Sequence, residues 1–190
     1  MKRVILIVIL AVALVLIGVS VTILRSGLSA RDEPTMTEKA IARTFRHFAV
    51  PAKLRDAKNP LPPTPQLLAE ARAHFADHCA SCHGNDGKGQ NGMGQQMYPK
   101  APDMTLATTQ SLSDGELFAI IENGVRLTGM PAFGNGTPES AHSSWTLVHF
   151  LRHLPKLTPE EIAEMEKLNP KSAEEWRQMQ EEEAFLKGGK

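Results

Sequence analysis

The chain has 190 residues, with 21 basic and 21 acidic side chains and a formal net charge of zero. That length allows one modest domain plus extensions, and the charge balance argues against a nucleic-acid binder, which carries a basic excess. Aromatic residues make up only 5 % of the chain, a thin supply for a core that a buried prosthetic group would help to fill.

Residues 1–3, Met1-Lys2-Arg3, are a short basic start expected to stay in the cytoplasm. Residues 4–24, Val4 to Leu24, carry no charge and almost no polar group. As a helix they span roughly the 30 Å apolar thickness of a bilayer, so a transmembrane anchor is predicted there. The rival is a cleaved signal peptide with a small-residue site near Ser29 and Ala30. Both readings export the remainder, and the expected setting is the inner membrane, crossed once, with the folded domain on the periplasmic side.

Residues 25–63 read as a stalk. Thr37 to Phe48 has a helical period, with Ile41, Phe45 and Phe48 near one face. Pro51, Pro60, Pro62 and Pro63 stop regular structure after it. This segment either holds the domain off the membrane or docks on a partner.

A folded domain is expected over residues 64–155. Thr64-Pro65 is an N-cap followed by proline at the first helical position, opening a helix to about Cys79 that buries Leu68, Ala71 and Phe75. A glycine-rich loop follows, with Gly84, Gly87, Gly89, Gly92 and Gly94. Ser113 and Glu116 form a capping box for a second helix, striped by Leu117, Ile120 and Ile121 and ended by Gly124. A loop from Val125 to Thr137 leads to a last helix over about Ser143 to Leu154, closed by Pro155. Residues 156–190 form a charged helical extension, with capping signals at Thr158/Glu161 and Ser172/Glu175. Its Trp176, Met179 and Phe185 lie against the domain, against a partner or in solvent.

The two cysteines are Cys79 and Cys82, and His83 follows at once. Alone, such a thiol pair reads as a redox dithiol or half a zinc site. Zinc wants four ligands, and a second thiol pair is absent from the sequence; a thioredoxin-like dithiol wants a strand–helix context that the pattern lacks. Cys79-Ala80-Ser81-Cys82-His83 is instead the spacing of covalent haem attachment. Each thiol adds to one haem vinyl group, and the adjoining imidazole reaches the iron from one side. One covalent haem c is therefore the expected cofactor.

For the opposite side of the iron, Met130 in Thr128-Gly129-Met130-Pro131 is the expected ligand, because glycine permits close approach and proline stiffens the loop. Met93, Met97, Met104, His142 and His153 compete with it. Tyr98, Arg126 and Trp145 are candidates for the haem surround, where they would hydrogen-bond or pair with the propionates.

With these residues the chain resembles the class I c-type cytochromes, and in particular small bacterial domains that occur as membrane-anchored subunits or fusions in respiratory systems. The resemblance rests on Cys79 to Gly89, Tyr98 to Asp103, Asp114 to Leu117, Ile121 to Gly124, Thr128 to Pro131 and Trp145 to Leu154. It implies an all-α cytochrome c-like domain of three to five helices around one low-spin haem, with His83 and Met130 as axial ligands and one haem edge facing solvent. It implies one-electron transfer without bond-breaking chemistry, so the chain itself is expected not to be an enzyme. The expected partners are membrane-associated redox proteins: a dehydrogenase or respiratory complex on one side, another cytochrome or an oxidase on the other. The alternatives are a mainly assembling subunit of an oxidoreductase complex, or a haem peroxidase or gas sensor if Met130 is not a firm ligand.

Overall fold

The computed structural model describes residues 2–26, 29–186 and 188, and among them every regular element is a helix. Met1 of the basic start, residues 27 and 28 of the expected stalk and residues 187, 189 and 190 of the extension lie outside the described residues. The chain divides into two units, Met1–Asp32 and Glu33–Lys190.

The first unit is α1, Lys2–Ser26. Its mean hydropathy over the best window is 3.4, which makes it long and apolar enough to cross a membrane. Lys2 and Arg3 stand at one end and Arg25 at the other.

The second unit begins with α2, Met36–Ala49. Thr35 caps it and Glu38 completes the capping box, each accepting from the other's backbone N–H. Pro51 separates it from the single turn of α3, Ala52–Arg55. Both elements are fastened to the rest of the unit, so residues 36–55 are folded structure.

The heart of the unit is α4, Pro65–His74, capped by Thr64. Where the sequence reads as one helix to Cys79, the helix changes pitch. Ala80 donates its N–H to the carbonyl of Phe75, five residues back, giving a π turn over Phe75–Cys79 before α5, Ala80–His83. One extra residue is thus accommodated per turn, which rotates the side chains that follow. After a loop containing a short 3₁₀ turn come α6, Ala107–Gln110, and α7, Asp114–Asn123. The capping box of Ser113 and Glu116 starts α7, and Gly124 ends it at φ +63°. The next helix, α8, runs Pro138–His153. It begins five residues before the expected Ser143, because Thr137 caps and Pro138 takes the first helical position.

α4, α7 and α8 enclose the core. Ala71 is fully buried on α4, which lets α8 approach closely, and the rings of Phe75 and Phe150 meet at 4.9 Å. Leu117, Leu147, Val148 and Leu151 fill the remaining space. The extension contributes too: α9, Pro159–Leu168, places Met165 in this core with no exposed surface. α10, Ala173–Leu186, has no buried residue, and Trp176 and Phe185 are exposed.

Polar clamps fix the helices' relative positions. Arg152 of α8 donates to Asp114 Oδ1 from both Nε (3.0 Å) and Nη2 (2.8 Å), and to the carbonyls of Gln110 and Leu112. Asn59 donates from its side chain to the Trp145 carbonyl at 2.8 Å, tying the segment before α4 to α8.

Candidate functional site

Beside the core lies a cavity of about 830 Å³, within the range of small-molecule and cofactor sites. Phe75, Leu117, Ile121, Leu147 and Leu151 form its apolar inner wall. Cys79, Cys82 and His83 lie on one side, and Met130 on the loop after α7 lines it as well.

The π turn delivers the first set. Cys79 closes that turn, and Cys82 and His83 sit on α5 immediately after it. The loop beyond is bound back to this turn. Asn91 donates to the carbonyls of both Ala80 and Ser81 at 2.8 Å, and its own side-chain oxygen accepts from Gly94 N–H. Gly94 must be glycine, since a Cβ there would overlap the Cys82 carbonyl oxygen. Gly89, at φ +65°, donates its N–H to the His83 carbonyl at 2.7 Å.

The electrostatics argue against thiol redox chemistry at Cys79. Burial, helped by the neighbouring Cys82, pushes the Cys79 thiol up to about 12. A thiol so rarely ionised is a poor partner in disulfide exchange at neutral pH. The Sγ of Cys82 lies 3.5 Å from Sδ of Met93. Burial also lowers the pKa of His83, outweighing the opposite pull of the Pro102 carbonyl, so the ring is neutral at pH 7 and ready to act as a ligand. Its Nδ1 is buried with no hydrogen bond of full geometry to any described residue. The Pro102 carbonyl is close enough to act on the ring without completing that bond.

The loop carrying Met130 is closed by its own backbone. Val125 N–H donates to the Met130 carbonyl (3.1 Å), and Thr128 donates from both N–H and hydroxyl to the Val125 carbonyl. Leu127 takes φ +62°, an unusual value for a large side chain, and is almost wholly exposed. Glu122 anchors the far end, accepting from the hydroxyls of Ser140 (3.2 Å) and Ser144 (2.6 Å). Two further thioethers, Met97 and Met104, line the same cavity. Met104 is in the core, and the sulfur of Met97 lies against Gly129, 2.5 Å from where a Cβ would stand.

The other expected residues fall elsewhere. Tyr98 is beside the cavity rather than on its lining, and its hydroxyl donates to Glu38 of α2 at 3.1 Å. Arg126 is exposed on the Met130 loop and Trp145 stacks on Phe118 with ring centres 4.3 Å apart; neither lines the cavity. The cations that do line it include Lys39, Arg43 and Arg46, all on α2. Sequence reading passes over them because α2 is separated from the attachment motif by twenty-nine residues that include a proline-rich run.

The residues present fit a haem. An inner wall of large apolar side chains suits the macrocycle, the paired thiols suit its vinyl groups, and a neutral buried imidazole and a thioether are both iron ligands. Among the described residues no cluster of His, Cys, Asp and Glu could hold a metal ion by itself.

Residues 66–151 match the family described as cytochrome c oxidase, cbb3-type, subunit III. No curated protein matches the chain. The matched segment contains the attachment motif, the glycine loop, α7 and the Met130 loop, and it leaves α1, α2, α3, α9 and α10 outside.

Proposed function

We propose, from the premise that residues 66–151 form a c-type cytochrome domain, that the chain relays single electrons to an oxidase or a further cytochrome through a haem held by Cys79, Cys82, His83 and Met130. The chain is a single-pass inner-membrane protein with an extracytoplasmic haem domain, and its role is electron transfer rather than independent catalysis. One observation carries the assignment of residues: Cys79, Cys82, His83 and Met130 all line one cavity whose inner wall is the apolar core.

When bound, the haem supplies a one-electron iron couple. The chain's part is to fix and tune it. Cys79 and Cys82 hold the group covalently on the α5 side. His83 gives a neutral imidazole, with the Pro102 carbonyl placed to orient the ring. Met130 presents a soft sulfur that favours the reduced metal. The closed hydrogen-bonding of residues 125–130 keeps that sulfur in place and limits rearrangement between redox states. Phe75, Leu117 and Leu151 exclude water from the inner side.

The donor and acceptor are membrane-associated redox proteins. An oxidase is the acceptor we favour, a reading supported by the oxidase-subunit description of the matching family, and confinement to the membrane raises the effective concentration for a partner in the same plane.

The test is the absorption spectrum of the membrane-extracted protein, oxidised and reduced, with and without carbon monoxide. Six-coordinate low-spin iron with a methionine–iron charge-transfer band, unaltered by the gas, is the expected result. High-spin iron, or ready uptake of the gas, would overturn firm Met130 ligation and bring gas sensing or peroxide chemistry forward.

A further inference from the structure

α2 buries the wrong face for an ordinary amphipathic helix. Its apolar residues Met36, Ile41, Phe45 and Phe48 are 51–80 % exposed. The two residues of the helix that are half-buried are both cations, Lys39 and Arg46. With Arg43 they follow the i, i+4, i+7 spacing that aligns side chains along one helix face, and all three line the cavity.

The helix is held in this orientation from the other unit elements. Glu38 accepts from Tyr98, His47 Nδ1 meets Glu116 Oε1 at 3.3 Å, and Arg55 of α3 reaches His47 Nε2 at 3.2 Å. Val50, just past its end, is buried. Thus the basic face toward the cavity is set by contacts on both sides of it.

The cations there are incompletely matched. Glu33 pairs with Lys39 (3.6 Å) and with Lys100 (2.9 Å), so one rim carboxylate serves two ammonium groups. The guanidinium groups of Arg43 and Arg46 make no hydrogen bond or ion pair with any described residue. Burial holds the Arg46 guanidinium below its ordinary pKa, against the pull of Glu116. That carboxylate is already engaged by His47 and by the Ser113 backbone. A half-buried guanidinium without a partner is costly, and planar carboxylates are its best match.

We propose that Arg43 and Arg46 of α2 bind the haem propionates, so that a helix outside the matched family segment completes the haem site and tunes its potential. The proposal rests on the reading of the cavity as a haem site. It gives α2 a specific role: the membrane-proximal part of the sequence is built into the redox centre.

The experiment uses the full chain, extracted in detergent with its haem, as parent, as the Arg43→Gln/Arg46→Gln double variant and as Arg43→Lys/Arg46→Lys. Peptide mass is read first. Absence of thioether-linked haem in the parent would defeat the haem reading itself, separately from this inference. With haem attached, the double glutamine variant should show a lower midpoint potential than the parent, since loss of two cations disfavours the reduced, less positive centre. The propionate carboxylate bands in the reduced-minus-oxidised infrared spectrum should shift with it, while the lysine variant keeps a potential near the parent's. Parent-like potential and carboxylate bands in the glutamine variant would overturn the proposal. Should the double variant not accumulate, Arg43→Gln alone, at the exposed rim where folding does not depend on it, is judged by the same two readouts.

Discussion

The carbonyl oxygen of Leu54, on the single turn α3, occupies the space that a Cβ on Gly115 of α7 would need. Ser113 reinforces this contact by donating its hydroxyl to the Arg55 carbonyl at 2.5 Å. Two opposing effects act on Gly115→Ala. Alanine is the better helix former by up to about 1 kcal/mol in a helix interior, and less in a first turn. The clash is with backbone rather than a flexible side-chain end, and forced overpacking costs about 1–3 kcal/mol. The clash should win. The variant is expected to melt at lower temperature, with faster hydrogen exchange over residues 36–55, while haem attachment persists. Exchange and melting identical to the parent would show that α3 is not seated on α7 as described.

Three thioethers line the cavity, and the choice among them is open to direct test. Met130 is presented by a loop closed on itself, Met104 is committed to the core, and Met97 leans on Gly129. Met130→Ala should open the iron to carbon monoxide without preventing covalent attachment. Met97→Ala should leave the gas-free spectrum six-coordinate. The reverse pattern would transfer the ligand role to Met97.

Much of this was legible in the sequence, and the limits have physical causes. The capping boxes at Ser113/Glu116 and Thr158/Glu161 mark helix starts because both partners lie within one turn. The Cys79–His83 spacing is legible for the same reason. The π turn over Phe75–Cys79 is not, since it is a one-residue change of pitch inside a continuous apolar pattern. The early start of α8 is marked by Thr137-Pro138, the same cap-and-proline signal as at Thr64, but residues 139–144 are mostly polar and carry no helical period. Least legible was the placement of Lys39, Arg43 and Arg46. Their period is plain, yet only the tertiary contacts of His47 and Glu38 reveal that the basic face, and not the one bearing Phe45 and Phe48, turns inward.

The two cysteines give a prediction independent of iron ligation. A Cys79→Ser or Cys82→Ser chain can form at most one thioether, and the other vinyl group stays conjugated to the ring. The reduced pyridine spectrum of any haem that remains attached should move to longer wavelength, and peptide mass should place the surviving bond on the remaining cysteine. Unchanged spectrum and haem mass in both variants would remove these cysteines from attachment.

The Glu161 carboxylate of α9 reaches both α4 and α8, and the pH response of the docked helix follows from that. Glu161 Oε1 lies 3.3 Å from Arg72 Nη1 and 3.1 Å from His153 Nε2, while Arg72 Nη2 reaches Glu164 at 2.9 Å. Burial raises the Glu161 pKa, but the Thr158 N–H, His153 and Arg72 together outweigh it and hold the carboxyl below its ordinary value. A carboxylate depressed on folding stabilises the native state above its unfolded pKa, and that stability is lost as pH falls through the folded one. Docking of α9, with fully buried Met165 at its centre, should therefore weaken below about pH 4.5 and be intact at pH 6–7. Glu161→Gln should lower stability at pH 7 by roughly 1 kcal/mol, the scale of a partly exposed charged hydrogen-bonding group. Because other carboxylates also titrate, the quantity to compare is the difference between variant and parent in thermal stability from pH 7 to pH 3.5. That difference should shrink towards zero at the acid end. A gap that stays constant across the range would mean that the Glu161 charge plays no part in docking α9.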